Sequence, residues 1–153
     1  MELVAKLLQS QSTMALSTVA EGGLARVAPV FYLPGEDLRL YWFSSSSSEH
    51  TRSLARDPAA AVAVYRPTED WRKICGVQMR GRVTAVTDRS RRETITRSYV
   101  ERFRLGTLFG AAISRSHLYE FRPAWLRYLD NSRRFGYKFE LVLEDPEGVG
   151  ARS

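Results

Sequence analysis

The chain has 153 residues, of which 44% are hydrophobic, 26% charged and 11% aromatic, a length and balance that fit one domain, residues 1–153, around a single sizeable core. No apolar run approaches the ~20 residues a bilayer-crossing helix needs, the start "MELVAKLLQSQST" lacks the parts of a secretory leader, and the single cysteine, Cys75, excludes an internal disulfide; a cytoplasmic protein without a membrane role is expected. The formal net charge of +6 comes from basic residues that are almost all arginine, with only Lys6, Lys73 and Lys138 as lysines; it admits an anionic partner, either nucleic acid or a phosphorylated small molecule, but the arginine codons of a GC-rich genome account for the excess equally well.

Residues Glu2 to Gln9 place Leu3, Val4, Leu7 and Leu8 on one helical face, which reads as a short helix capping the core. "TMALSTVA", the turn "EGG" and "LARVAPVFYL" form a hairpin pattern. Pro29 inside the second strand assigns it to an edge or a bulge. After the turn "PGED" comes a third strand, "LRLYWF", so the three strands read as a meander. Five serines follow, Ser44 to Ser48, and Ser47 or Ser48 is a suitable N-cap for a helix from about Glu49 to Arg56. Asp57-Pro58 ends that helix, because the residue before proline is pushed out of the α region.

"AAAVAVY" is a fourth strand whose composition suggests burial on both faces. A loop, "RPTEDWRK", leads to a long strand from Ile74 to Val86, with Val77, Met79 and Val83 on one face and Gln78, Arg80 and Arg82 on the other. Asp88 then caps a helix carrying Ile95, Tyr99 and Phe103 at four-residue intervals. "LGTLFGAAIS" is a weaker helical segment, and "HLYEFRPAWLRYLD" and "RFGYKFELVL" are closing strands. Residues 145–153 read as a frayed tail. Six or seven mostly consecutive strands with inserted helices fit an antiparallel barrel, and a sandwich fits nearly as well.

The usual catalytic sets are absent from the sequence. His50 and His117 have no metal-ligand spacing with Cys75, so no metal is expected, and there is no nucleophile elbow, GxGxxG or P-loop. Cys75 reads as a buried strand residue. The serine run is more informative. It ends a strand and opens a helix, so unpaired helix N–H groups, a partial positive charge and several hydroxyls converge there. This is the chemistry of an anion cradle, with phosphate as the best fit. Glu49 is discordant, because a carboxylate there repels phosphate unless it turns away. A capped, solvated helix start with no ligand explains the same residues.

"MALSTVAEGGLARVAPVFYLPGEDLRLYWFSSSSSEHTRSLARDPAAAVAV" and "GVQMRGRVTAV" resemble the pyridoxamine 5′-phosphate oxidase-like family of FMN-binding split barrels, and "RYLDNSRRFGYKFELVL" is similar to the end of a small bacterial subgroup of it. The resemblance implies a six-stranded antiparallel split β-barrel, mainly β with inserted helices, that forms a homodimer with FMN in clefts between the subunits. It matches Arg26, Val27, Ala28 and Pro29 to the strand lining the flavin, and Phe43 and Ser44 to the strand end beside the ring and ribityl chain. Ser48, Glu49 and His50 fall at the phosphate-binding positions, where relatives often carry Ser-Arg-Lys. Gln78 matches a polar residue that reaches the ring. Asn131 or Lys138, in the subgroup's segment, is expected at the ligand, the alternative being a plain hairpin. Because Trp42 and Phe43 alternate, only one can face the flavin slot, and Trp42 is assigned to the core.

The function implied is an FMN-dependent oxidoreductase of unknown substrate, with deazaflavin or haem as alternative cofactors. No acid–base residue stands out, which hydride transfer tolerates because the cofactor carries the chemistry. Pyridoxamine phosphate is not the expected substrate, since no second phosphate site is recognisable. A flavin- or haem-binding sensor or interaction barrel is the rival reading. Nucleic acid binding through "RSRRETITRSYVERFR" ranks below it, because a solvated helix face explains those arginines. Tyr128, Tyr137 and Phe139 read as sheet packing.

Overall fold

The computed structural model describes residues 1–143, so the expected tail at 145–153 lies outside the described residues. Four helices and eight strands follow one another as α1 (Glu2–Ser10), β1 (Thr13–Val19), β2 (Ala25–Phe31), β3 (Leu33–Pro34), β4 (Leu40–Ser44), α2 (Glu49–Arg56), β5 (Ala59–Tyr65), β6 (Cys75–Ala85), α3 (Arg89–Phe103), α4 (Thr107–Ser114), β7 (His117–Asp130) and β8 (Lys138–Val142). All strand pairs are antiparallel.

The sheet runs in the order β2-β1-β5-β6-β7-β4-β3, with β8 paired to β7 off this path. The first hairpin forms as its sequence suggests, Gly22 and Gly23 taking positive φ in the turn. Pro29 sits on an edge strand, where a missing N–H leaves no ladder bond unmade. The expected meander does not form. β4 pairs with β3 and, through Leu40↔Phe121, with β7, whereas β2 pairs with β1 alone among the described residues. The reason is Tyr32. Its N–H donates to the Ser12 carbonyl at 3.0 Å and its hydroxyl to the Leu8 carbonyl at 2.7 Å. It is also the one residue between β2 and β3, the two ends of the sheet order. For one residue to join both ends, the sheet must curl until its edges meet. This is a split barrel, mainly β, with eight strands in place of six because two-residue β3 and five-residue β8 add to the count.

Inside the curl lie Met14, Leu16, Leu40, Trp42, Val62, Met79, Phe121 and Leu126, all buried. Helix α1 closes one opening with Val4, Leu7 and Leu8. Trp42 is in this core as expected and stacks on Tyr119. Cys75 is buried beside the Tyr128 hydroxyl. β5 departs from its composition: Ala60, Val62 and Val64 are buried, but Ala59, Ala61 and Ala63 are only half-buried and look outward.

The arginines of α3 divide: Arg89 and Arg97 lie on an exposed face as expected, whereas Arg91, Arg92 and Arg102 do not. Arg91 pairs with the fully buried Glu120 and donates to the Tyr41 hydroxyl. Arg92 donates to the Ser116 carbonyl at 2.7 Å, and Arg102 donates to the Gln9 and Gln11 carbonyls at 2.9 Å each. These guanidiniums fasten the helix to the barrel. Among the described residues no helix is long and apolar enough to cross a membrane.

Candidate functional site

The serine run does form the loop between β4 and α2, and Ser48 is the N-cap of the helix. The hydroxyls of Ser44 and Ser48, however, turn inward, while Ser45, Ser46 and Ser47 are exposed. Ser44 Oγ lies 2.6 Å from His50 Nε2, and Ser48 Oγ lies 3.2 Å from the same nitrogen and 2.6 Å from Thr51 Oγ1. Ser45 and Ser47 face each other at 2.8 Å. No side chain caps the first turn of α2, because the Ser48 hydroxyl is engaged with the Ser45 carbonyl and Thr51. Burial holds the His50 imidazole below the usual histidine pKa, so it favours the neutral form.

Glu49 goes the other way. Its carboxylate leaves the serines and pairs with the Arg26 guanidinium, at a distance short enough to be a direct ion pair. The two residues line a pocket of about 190 Å³ together with Glu21, Arg52, Ser53 and Arg56. Arg56 pairs with Glu21 at 3.1 Å, and Arg52 faces the same space. Residues 49, 52, 53 and 56 recur at helical spacing, so a basic face was present in the sequence. In the sequence it is masked by the adjoining serine run, whose hydroxyls are the stronger sign of anion chemistry.

Beside this pocket lies a shallow groove on the outer face of the sheet, about 590 Å³, lined by Ala15, Ser17, Val27, Ala61, Ala63, Gln78 and neighbouring residues of β6 to β8. Small side chains at alternate positions of β1 and β5 make its floor nearly flat. The Arg80 guanidinium lies 4.2 Å over the Trp125 ring at its rim, and Arg127 pairs with Glu140 there at 2.7 Å. A second hollow of about 330 Å³ continues it, sharing Ala63 and Gln78 and adding Tyr65, Ile74 and Lys138.

The residues expected at a ligand are thus divided among several places. Val27, Gln78 and Lys138 line the groove and its continuation, and Arg26 and Glu49 line the basic pocket. Ser44, Ser48 and His50 form the internal cluster between β4 and α2. Ala28 is half-buried and Pro29 exposed on β2, outside these cavities. Phe43 packs edge-to-face on Tyr99 at 5.1 Å, in an apolar cavity of about 440 Å³ shared with Phe31, Phe103 and Phe109. Asn131 is spent on the turn before β8: its amide donates to the Trp71 carbonyl and its oxygen accepts from the Gly136 N–H. The alanines of β5 were missed because a run of alanine and valine gives no period-two hydrophobic contrast.

No group of His, Cys, Asp and Glu that could hold a metal ion occurs among the described residues.

None of the curated proteins matches the chain in sequence. Similar solved structures include a haem-binding protein from Mycobacterium smegmatis, 19% identical with a TM-score of 0.73, over 92% of this chain and 57% of that one. The chain therefore spans little more than half the length of that protein. Similar too are the haem storage protein HutZ from Vibrio cholerae (16% identical, TM-score 0.66, 77% and 85% covered) and an FAD-binding protein from Mesorhizobium loti (17%, 0.60, 80% and 88%). At such identities the likeness is one of fold. The family model described as pyridoxamine 5′-phosphate oxidase matches residues 1–130, most of the chain. With the curled sheet joined end to end through Tyr32, this match shows that the chain belongs to the pyridoxamine 5′-phosphate oxidase family.

Proposed function

We propose that the chain binds FMN at the interface of a cytoplasmic homodimer and acts as an FMN-dependent oxidoreductase. The observation that carries this reading is the position of Arg26 and Val27. These neighbours on edge strand β2 line two different cavities, the basic pocket and the flat outer groove. A ligand with an anionic head and a flat body, lying over that edge, meets guanidinium at one end and a small-residue floor at the other. Gln78 offers an amide donor and acceptor within the groove.

The donor set fits flavin with one exception, Glu49, which holds the arginine a phosphate would use. The outer groove is open, and Val27 and Tyr65 beside it are largely exposed, at 69% and 60%. A second copy seated on this face would cover them and turn the groove into a cleft. Bound flavin supplies electron and hydride transfer. The protein's part is to hold the phosphate, orient the ring and exclude water. The family membership and the FAD-binding relative support flavin.

Haem is the second reading. It is favoured by the aromatic cavity of Phe31, Phe43, Tyr99, Phe103 and Phe109, and by relatives described as haem-binding or haem-storing. Absorbance of the purified protein, followed by titration with FMN and with haemin, decides between them. Saturable quenching of flavin fluorescence with no Soret shift is the outcome expected; a saturable Soret shift with no flavin quenching reverses the order.

A further inference from the structure

Two loops meet at one end of the sheet, residues 66–74 between β5 and β6 and residues 131–137 between β7 and β8. Asn131 joins them. Its side chain donates to the Trp71 carbonyl at 2.9 Å and accepts from the Gly136 N–H at 3.1 Å, and its own N–H donates to the Ile74 carbonyl at 2.9 Å. The join carries Trp71 and Phe135 to the outside, edge to face with ring centroids 5.5 Å apart, and leaves them 59% and 76% exposed. Neither ring lines any of the cavities described above. Two large rings held side by side in water, on loops pinned by hydrogen bonds, add nothing to the core and mark a contact surface. The charge around them is positive. Asp70 is paired with Arg72 at 2.9 Å and Asp130 with Arg133 at 3.5 Å. Arg66, Lys73 and Arg134 make no ion pair among the described residues, and the one acid on these loops left unpaired is Glu69.

We infer that this knob docks on the surface of an anionic lipid bilayer, with Trp71 and Phe135 entering the interfacial layer and Lys73 and Arg134 meeting the lipid phosphates. An indole favours that layer, because one end of it is apolar and the other can stay wet, and cations beside an anionic surface add to binding. A second copy suits the knob less well, since a two-fold contact would set each of its cations against the same cation of the partner. Nucleic acid suits it less well too: perpendicular rings make a compact wedge and not the parallel-sided platform on which bases stack. The contact is peripheral and needs no bilayer-crossing helix, of which there is none among the described residues. It reverses the expectation of no membrane role, which rested on the lack of a long apolar run, and it is independent of the flavin reading.

The full-length protein is floated with vesicles of phosphatidylcholine alone, and of phosphatidylcholine with about one-third phosphatidylglycerol, at about 0.05 M and about 0.5 M salt. Binding is expected to the anionic vesicles only, weakened at least about fivefold by the higher salt. Tryptophan emission should shift to the blue on binding, and Trp71→Leu should remove the shift, because Trp42 is buried and Trp125 half-buried already. The double variant Trp71→Ala with Phe135→Ala keeps every charge and should bind at least about tenfold more weakly. Lys73→Glu should weaken binding about fivefold, and Arg97→Glu, the same charge change on the exposed face of α3, by less than about twofold. All these residues are exposed, so the thermal transition should be retained. No flotation with anionic vesicles at the lower salt overturns the inference. So does flotation that the double variant retains in full, which the overall charge of +6 would explain, or an equal loss in Lys73→Glu and Arg97→Glu. Oligonucleotide binding or self-association that needs the two rings, with vesicles left unbound, assigns the knob to nucleic acid or to a second copy and overturns it as well.

Discussion

Ser44 Oγ and His50 Nε2 lie 2.6 Å apart across the turn that joins β4 to α2, and the imidazole favours its neutral form because burial penalises the charge. An unfolded histidine takes up its proton near pH ~6.5. Just below that pH the unfolded chain binds more protons at this position than the folded one, so stability falls as pH drops and levels off below the lower folded pKa. Thermal unfolding should therefore give a lower Tm at pH 5 than at pH 7, with a smaller difference in His50→Gln. Equal pH dependence in the two proteins would place the titration elsewhere.

The carboxylate of Glu120 is fully buried and shared by three guanidiniums: Arg91 and Arg122 in direct contact, and Arg39 at 3.6 Å. Replacing it by alanine leaves those cations facing a buried, uncompensated site. A loss of about 3–5 kcal/mol is expected from urea unfolding of Glu120→Ala. Glu120→Gln should lose less, because the amide oxygen still accepts hydrogen bonds. A loss below about 1 kcal/mol in both would show that the cluster is no more than a surface ion pair.

Gly81 marks the register shift between β6 and β7, and a Cβ there would stand 2.0 Å from the Arg122 carbonyl oxygen and 2.9 Å from Pro123 Cα. Both are backbone atoms and cannot rotate away. Gly81→Ala should cost about 2–4 kcal/mol in chemical denaturation. Gly110, within α4, meets nothing within 4 Å. Gly110→Ala should add about 0.5–1 kcal/mol, since glycine loses more conformational freedom than alanine in a helix. The two substitutions thus move stability in opposite directions.

The proposed dimer face has a floor of small side chains to which Ala61 contributes. Ala61→Arg puts a long cation where a second copy would have to seat, while the side chain of the isolated subunit can extend into water. Light scattering should report a dimer for the unmodified protein and a monomer for this variant, with the thermal transition retained. An unmodified protein that runs as a monomer at micromolar concentration would dismiss the interface.

Much of the local structure was legible in the sequence because local rules govern it. Helix α2 ends at Asp57-Pro58 as the proline rule requires, and the Asp88 side chain caps α3 by accepting from the Arg91 N–H, whereas α2 begins after Ser48 with no side-chain cap bond. Non-local choices were not legible. Nothing within "LRLYWF" says that Leu40 pairs with Phe121 rather than with the neighbouring hairpin, since either partner satisfies the same alternation. The site was half legible for the same reason. Residue types marked a region of anion chemistry, but side-chain direction assigned the hydroxyls of Ser44 and Ser48 to His50 and Thr51, and the arginines of α2 to the pocket. The role of Asn131 in closing a turn follows from two backbone contacts that only the folded chain creates.

The single-residue join at Tyr32 also bears on how the chain is made. Strand β4 has its main partner in β7, through pairs such as Leu40↔Phe121 and Ser44↔His117. During synthesis the first hairpin can zip up early, but β4 must wait, with a bare edge, until the segment beyond His117 leaves the ribosome. Loop-closure entropy makes such distant pairings slow. For that interval the nascent chain presents an unpaired apolar strand to its surroundings, and this is the stage at which a chaperone, or a second nascent copy, would capture it.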